Sequence, residues 1–565
     1  MYVVFCGRRR FTGAARSCIG PLHWSQHQYA DKLLRPACWL QLVPRSPTME
    51  WSFLARSSRH LHMKLLLART LSISILLILP SLTGYARQDG LALVGATVVP
   101  VSSNEIIENA VILIRDGRII HVGEDGSAPV PAEFAVRQVK GKWIIPGIID
   151  TNVHLILTTV PEFYVRYEES LVDIAIQSAQ VGLKYGMTTM ADSWGPLEPL
   201  LEARDRIRSG EVAGSDVLVA GNIIGTGGPF SPYFMDGWDL RGKSLRYGGW
   251  VTPVIKNRIN GLWEAGMGPE LMALTPEELA GRMREYLERG VDFVKLGISG
   301  HGIEPVEPIL FTDAQLDAMV AVINEADVPF QTHTFSIASL DKAIRLKPDL
   351  LQHPNVMYPS WLGASDLQKR AIKGQIDRIS RDGILSGLMA IPEKRQIEIY
   401  QSWTSGQTTD PALDEIMRFR QPWFEGVSYD ALAAGLAVWL ELGIPFTLAT
   451  DQGPEDNDLG PTVWGRMGRA HFDRMTGLQD AGVDPLDILR AATLHGAKAY
   501  RLDGDRGSIE IGKRADLVVL TADPLQDIRH VRLIDMVIQK GRIVDREALP
   551  EHPVLDYDPE LPWPY

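Results

Sequence analysis

The chain has 565 residues, of which 45% are hydrophobic, so it is long enough to bury a large core and to form more than one domain. Its formal net charge of −12 gives no electrostatic support for a nucleic-acid partner. The three cysteines, Cys6, Cys18 and Cys38, all lie near the N-terminus, which leaves the rest of the chain without thiol chemistry.

The first 86 residues are interpreted as lying outside the folded protein. Residues 1–62 hold nine Lys or Arg against two acidic residues, which indicates an over-extended reading frame or a disordered leader. Residues 63–86 form a secretory signal: basic residues, then an apolar run that is short for a membrane span, then small residues before the cleavage point. Export would bring an acidic, cysteine-free chain to the periplasm or the extracellular space. An uncleaved N-terminal anchor is the alternative, and after cleavage we expect no stable membrane span.

Both ends of the remaining chain have the pattern of short antiparallel strands. Residues 91–145 alternate β-branched residues with Asp-Gly and Lys-Gly turns, and residues 503–548 repeat this pattern before a tail at 549–565. Neither piece is large enough to bury much of a core by itself. We therefore predict one small β-sandwich built from both ends, with the middle of the chain inserted into it.

Residues 146–502 alternate strand-like and helix-like segments. Several of the helical segments are amphipathic, and two of them begin at Thr275 and Thr312 with a capping-box pattern. Eight strand–helix units in series predict a (β/α)8 barrel, an α/β fold of the TIM type. The strand-like segments are GIIDTNVHL, GMTTMADS, DVLVAGNII, VDFVKLGIS, VPFQTHTF, DLLQHPNV, GLMAIP and IPFTLATD.

Polar side chains that can bind a metal fall at the C-terminal ends of these predicted strands. In a barrel all such ends face one mouth, so the positions converge although they are far apart in the chain. Each has an alternative explanation: a lone histidine there is more often a hydrogen-bonded core residue, and an aspartate often caps a turn. Their joint occurrence favours a shared metal site. The positions are Asn152, His154, Lys295, His333, His353 and Asp451.

The motifs PGIIDTNVH, VKLGISG, QTHT, LLQHP and LATDQG, in this order, resemble those of the amidohydrolase superfamily, in particular its imidazolonepropionase-like and Xaa-Pro or Xaa-Arg dipeptidase-like branches. The resemblance covers residues 91–545. It implies one or two divalent metal ions, preferably Zn²⁺, with Lys295 carboxylated and bridging if there are two. It also implies that His333 and His353 complete the more exposed β site. Asp451 would bind the α metal and take a proton from the hydrolytic water, which makes it the catalytic residue.

Two positions depart from the family pattern. Asn152 stands where the family has the first histidine of His-x-His, and an amide oxygen favours zinc less than imidazole does. We expect α-metal binding that is weaker by about one to two orders of magnitude, with the β site retained. Pro229 stands where related enzymes often have a histidine, so His301 is a candidate substrate-binding donor, or simply an exposed loop residue.

These features predict a secreted, metal-dependent hydrolase that cleaves an amide-type C–N bond in a small molecule, such as a dipeptide, an acylated amino acid or a cyclic amide. The same site could act on an ester or a lactone, or in a decarboxylation. A binding protein with a weakened metal site and no catalysis is the third possibility. The sequence leaves open the substrate, the number of metal ions and whether the chain forms a homo-oligomer through its helical faces.

Overall fold

The chain is described here by a computed structural model. Neither the expected leader 1–62 nor the expected signal peptide 63–86 lies within the described residues, and only the first residues of the tail at 549–565 do. None of the helices in the described ranges has the length and apolar character needed to cross a bilayer. The described residues are 90–157, 167–231, 252–300, 309–334, 337–352, 354, 365–389, 394–407, 429–441, 443–454 and 467–551.

Strands from both ends of the described chain pair in one eight-stranded sheet. Its order is β17-β16-β15-β5-β1-β2-β3, with β4 also paired to β1. The N-terminal and C-terminal parts meet where β5 runs antiparallel to β15. The strands are β1 (Gly90–Val98), β2 (Ile107–Arg115), β3 (Arg118–Glu124), β4 (Phe134–Gln138), β5 (Trp143–Pro146), β15 (Leu517–Leu520), β16 (Ile534–Gln539) and β17 (Arg542–Ile543).

The middle of the chain forms two parallel sheets, and each of the eight expected strand segments contains a strand. One sheet has the order β6-β7-β8 and the other β14-β13-β12-β11-β10-β9. The strands are β6 (Ile148–Val153), β7 (Met187–Asp192), β8 (Asp216–Val219), β9 (Ile223–Ile224), β10 (Val294–Gly297), β11 (Phe330–His333), β12 (Leu350–Gln352), β13 (Leu385–Met389) and β14 (Phe446–Ala449).

These strands do not form one uninterrupted ladder in the described chain. The third expected strand is divided into β8 and β9 around Gly221, whose φ of 73° takes the backbone out of the extended region. A Cβ at Gly221 would lie 2.3 Å from the hydroxyl of Tyr286, so the bend packs tightly. On the other side, β6 meets β14 through one parallel bridge between Val153 and Gln452.

Helices follow most of the parallel strands, as the alternation predicts. The two expected capping boxes are present: Thr275 pairs with Glu278, and Thr312 pairs with Gln315. The helices are α1 (Leu171–Lys184), α2 (Leu197–Ser209), α3 (Pro253–Glu264), α4 (Pro276–Leu287), α5 (Asp313–Glu325), α6 (Ile337–Leu346), α7 (Asp366–Asp382), α8 (Lys394–Thr404), α9 (Tyr429–Glu441), α10 (Ala470–Asp480), α11 (Pro485–Ala491) and α12 (Leu494–Ala499).

A buried ionic cluster joins the terminal sheet region to the parallel strands. Asp216, the first residue of β8, accepts hydrogen bonds from Arg506 at 2.5 Å and from Arg514 at 2.9 Å. Burial alone would raise the pKa of the Asp216 carboxyl, but the two guanidinium groups outweigh it and hold this pKa below its ordinary value. The cluster lies at the N-terminal end of β8, away from the strand ends that carry the predicted ligands.

Candidate active site

Two of the predicted ligands converge on a third at the end of β6. All six residues of this strand are buried, and the side chains of Asn152 and His154 point to the same side because they are two positions apart. Asn152 donates a hydrogen bond from Nδ2 to Oδ1 of Asp451 at 2.8 Å. His154 Nε2 lies 2.9 Å from the same oxygen. The structure thus brings together residues from the first and the last parallel strand.

The hydrogen bond at Nδ1 of His154 determines whether Nε2 carries a proton or a lone pair. Nδ1 lies 3.2 Å from the backbone carbonyl of Trp194, an oxygen that can only accept, so we assign the proton to Nδ1. In the neutral ring Nε2 then carries a lone pair directed at Asp451 Oδ1. Two such acceptors at 2.9 Å attract each other only when a proton or a metal cation lies between them. This donor arrangement fits a metal ion, and a backbone carbonyl on the other nitrogen is usual for metal-binding histidines.

Asp451 has an unusual backbone conformation. Its φ is 58°, in the left-handed region that aspartate adopts more readily than most residues but still at some cost. The Asp451 amide donates to the carbonyl of Asn152 at 2.8 Å, which links the residue after β14 to β6. Strained backbone of this kind is concentrated at functional sites.

Lys295, on β10, lies in the interior of the site. The residue is 1% exposed, and its Nζ donates to Oδ1 of Asn152 at 3.4 Å. Burial lowers the pKa of the Lys295 amine to about 8, although the carboxylates of Asp451 and Asp192 partly oppose this shift. The neutral amine, which is the form that can react with carbon dioxide, is therefore more accessible near neutral pH than in an exposed lysine.

His333 ends β11 and faces the same side of the sheet as Lys295. In the parallel ladder Lys295 pairs with Gln331, and Gly297 pairs with His333, so the lysine and the histidine are one two-residue step apart on neighbouring strands. His333 is fully buried. The positions of β10 and β11 therefore bring Lys295 and His333 to one side of the sheet.

Two predicted site residues, His353 and His301, lie outside the described residues, so their positions are not given by the structure. Within the described ranges no three His, Cys, Asp or Glu side chains come close enough together to bind a metal. His154 and Asp451 are therefore the pair of such side chains that the described part of the predicted metal site contributes.

Sequence reasoning assigned no role to two buried carboxylates next to the site. Asp192 ends β7, is fully buried, and accepts hydrogen bonds from the amides of Leu155 at 2.7 Å and Trp194 at 3.2 Å. Burial raises the pKa of Asp192 to about 6, although the hydrogen bonds from these two amides partly oppose the shift. Asp150, also fully buried on β6, has its pKa raised by burial to about 7. In the sequence, each of these two carboxylates stands within an apolar strand segment. A buried acidic residue is rare unless it is paired or hydrogen-bonded, so this placement could have indicated a role.

Beneath the site the interior of the sheets is polar. Gln352 donates from Nε2 to Oε1 of Gln331 at 2.8 Å and to the carbonyl of Thr151 at 2.9 Å. Gln331 donates in turn to the hydroxyl of Ser193 at 2.8 Å, and the hydroxyl of Tyr500 donates to the Thr151 carbonyl at 2.7 Å. Buried networks of this kind fix side-chain positions when their members are satisfied.

The loop after β9 is bound to helix α3 by hydrogen bonds. The amide of Gly228 donates to Glu264 at 3.1 Å, and the amide of Phe230 donates to Asn260 at 2.8 Å, so α3 holds this loop in place. Pro229, which stands where related enzymes often have a histidine, lies between them and has no backbone N–H to donate. Phe230 is 8% exposed.

Comparison with family models matches residues 430–544 to the model described as "Amidohydrolase family". The curated relatives include a 5-methylthioadenosine/S-adenosylhomocysteine deaminase of Bacillus thuringiensis, strain Al Hakam, 29% identical over 126 residues. An imidazolonepropionase of Alkaliphilus metalliredigens, strain QYMF, is 31% identical over 108 residues. These matches cover 18% and 19% of this chain, and 28% and 24% of the relatives. The chain therefore spans only about a quarter of the curated relatives it matches.

The solved structures are similar over most of the chain. A molinate hydrolase has a TM-score of 0.72 at 29% identity, over 84% of this chain and 98% of that one. Phenylurea hydrolase B has a TM-score of 0.70 at 28% identity, over 83% of this chain and 100% of that one. A Xaa-Pro dipeptidase reaches a TM-score of 0.57 at 19% identity, over 80% of this chain and 99% of that one, a likeness of fold alone.

Proposed function

Because the chain belongs to the amidohydrolase superfamily, we propose that it is a metal-dependent hydrolase that cleaves an amide-type C–N bond. The observation that carries the proposal is the convergence of His154 and Asn152 on one oxygen of Asp451, with Lys295 on the other side of the Asn152 amide. A lone-pair nitrogen and a carboxylate oxygen directed at each other are suited to a shared cation.

The proposed metal ligands come from the first, fourth, fifth, sixth and eighth strand segments. Such a metal ion, when bound, supplies Lewis-acid polarisation of a carbonyl and lowers the pKa of water. His333 and His353 would complete the β site. At the α site Asn152 stands in place of a stronger donor, and it directs Nδ2 rather than its amide oxygen at Asp451. We therefore expect the α site to bind more weakly than the β site.

The chain's own residues account for the proton transfers in the proposed reaction. Asp451 accepts a proton from the attacking water and returns it to the leaving nitrogen, as a general base and then a general acid. Its side chain is partly exposed, at 29%, so it can reach both groups. Asn152 holds the carboxylate in place by donating from Nδ2 to Oδ1 of Asp451.

The proposed substrate class rests on what two similar solved structures are named for. The molinate hydrolase and phenylurea hydrolase B, at 29% and 28% identity, are named for the hydrolysis of molinate and of a phenylurea. We therefore rank neutral carbamate- and urea-like compounds ahead of dipeptides, acylated amino acids and cyclic amides.

The proposal also includes the closure of the barrel, the β-sandwich of the terminal strands and the export of the protein. We propose that the parallel strands close into a (β/α)8 barrel over residues 146–502, since β14 already contacts β6. The terminal strands at 91–145 and 503–548 would then form the β-sandwich, and 549–565 the tail. Residues 63–86 direct export, and the leader 1–62 is not part of the mature protein.

The experiment is a hydrolysis screen on purified protein, read by mass spectrometry. The substrates are phenylureas, carbamates, thiocarbamates, dipeptides, acylated amino acids, cyclic amides, esters and lactones. Asp451→Asn is the test variant, and we expect at least a 100-fold loss of kcat, typical of general acid–base residues. Asp116→Asn is the matched control, because Asp116 also has a positive φ, 49°, but lies in an exposed turn.

Equal turnover by wild type and Asp451→Asn would overturn the mechanism. If no C–N substrate gave product but an ester was hydrolysed, the bond cleaved would be an ester bond and not an amide-type C–N bond. Turnover that is absent in the wild type and appears in Asn152→His would favour a binding protein that has lost its catalysis.

A further inference from the structure

We propose that Asp150 is a positioning residue that fixes the backbone on both sides of Asp451 and thereby aims the catalytic carboxylate at His154. The inference rests on the proposed function, since it concerns the residue assigned to move the proton. The Asp150 side chain is not one of the reacting groups. Its one hydrogen bond with a proposed metal ligand is accepted from the backbone amide of Asn152.

The Asp150 carboxylate accepts four hydrogen bonds. Oδ1 accepts from the backbone amides of Thr450 at 3.1 Å and Asn152 at 3.2 Å. Oδ2 accepts from the hydroxyl of Thr450 at 2.5 Å and from Nε2 of Gln452 at 3.1 Å. Three of the four donors belong to the two residues that flank Asp451. A single buried side chain therefore fastens both neighbours of the catalytic residue to β6.

Backbone pairing with β6 at Asp451 consists of two hydrogen bonds in the described chain, from the Asp451 amide to the Asn152 carbonyl and from the His154 amide to the Gln452 carbonyl, both at 2.8 Å. β6 and β14 share one isolated bridge, Val153 with Gln452, and the site lies beyond the end of β14 at Ala449. Asp451 itself has a φ of 58°, a conformation that persists only when the surroundings impose it. The hydrogen bonds of Asp150 hold residues 450 and 452, so the intervening residue keeps its left-handed turn.

The consequence for catalysis follows from the short distances at the site. The Asp451 carboxylate oxygen lies 2.9 Å from His154 Nε2 and 2.8 Å from Asn152 Nδ2. A displacement of about 1 Å is enough to lower a catalytic rate by roughly 100-fold. Loosening the turn should therefore reduce kcat far more than it alters KM, because the loop after β9 and its hydrogen bonds to α3 are untouched.

The experiment compares two buried threonines at β14. Thr450 bonds to Asp150, whereas Thr447 bonds to the hydroxyl of Thr151 at 2.9 Å and not to Asp150. Thr450→Val and Thr447→Val remove the same hydroxyl and keep the side-chain shape. We expect Thr450→Val to lower kcat by about 10- to 100-fold at similar KM. Thr447→Val should stay within about twofold of wild type, and Thr450→Ser should restore most of the lost rate.

A second measurement does not depend on any substrate. The Asp451 amide is bonded to the Asn152 carbonyl at 2.8 Å, so its hydrogen exchange reports on the turn. By hydrogen–deuterium exchange of the metal-free full chain, residues 446–454 should exchange at least about tenfold faster in Thr450→Val and in Asp150→Ala, but not in Thr447→Val. A double variant, Asp150→Ala with Thr450→Val, should exchange no faster than Asp150→Ala alone.

Unchanged exchange in both Thr450→Val and Asp150→Ala would overturn the inference, whatever the enzyme acts on. So would equal losses of kcat in Thr450→Val and Thr447→Val. Faster exchange without any detectable hydrolysis in the wild type would support the positioning role of Asp150 while counting against the proposed function. The two proposals can therefore fail separately.

Discussion

Replacing Asn152 by leucine tests the hydrogen-bond arrangement at the centre of the site. Leucine has nearly the same shape but can neither donate to Asp451 nor accept from Lys295. The bond to Asp451 is short, at 2.8 Å, and ends on a carboxylate, so its loss costs about 1.5–3 kcal/mol. The bond from Lys295, at 3.4 Å, is long and adds roughly 0.5 kcal/mol. We expect Asn152→Leu to destabilise the metal-free protein by about 2–3.5 kcal/mol in total.

The assay is thermal unfolding in the presence of a chelator, so that metal binding does not mask the change. Because one kcal/mol shifts Tm by about 2–4 °C in domains of 150–250 residues and by less in longer chains, a decrease of several degrees is expected. Asn152→Asp serves as the comparison: it keeps the shape but sets a second carboxylate beside Asp451, and should lower Tm further at neutral pH. A Tm for Asn152→Leu equal to that of the wild type would refute the assigned role of the amide.

Further predictions concern pH, packing and metal. Burial lowers the pKa of His471 to about 3, below its unfolded value of 6.5, so the unfolded state binds the proton first and stability falls as pH drops below 6.5. Between pH 6.5 and 5 the wild type should lose about 2 kcal/mol more than His471→Gln, measured by urea unfolding; parallel curves would contradict this. Gly387→Ala would bring a Cβ to 2.2 Å from Oε1 of Gln352 and should cost about 1–3 kcal/mol, read as a lower Tm. Chelation should abolish hydrolysis and added Zn²⁺ should restore it; activity that persists in the metal-free protein would exclude metal dependence.

Much of the fold could be predicted because the sequence signals for its strands and helices are local. The alternation of apolar strands with capped helices predicted the parallel strands, and the structure has a strand in each of the eight segments. The superfamily resemblance is confirmed by the family model and the solved structures. The division of the third strand at Gly221 was not foreseen, since the sequence DVLVAGNII does not indicate where the hydroxyl of Tyr286 approaches the backbone.

The site was predictable only in part, for a physical reason. The side-chain types at the strand ends pointed to Asn152, His154 and Asp451, which the structure brings within hydrogen-bonding distance. The supporting groups are different. Asp150 and Asp192 act through partners far away in the chain, and no local pattern distinguishes a buried, fully bonded carboxylate from a solvated one. Tertiary hydrogen bonds create that role, so it becomes visible only in three dimensions.

The proposed hydrolysis requires that these strand ends hold a metal ion. The metal content per chain is measured by mass spectrometry for wild type and His154→Ala, purified in parallel and assayed on the same C–N substrate. We predict about one ion per wild-type chain, with both metal and turnover reduced in the variant. Wild-type protein that contains far less than one ion per chain yet turns over at full rate would contradict the account.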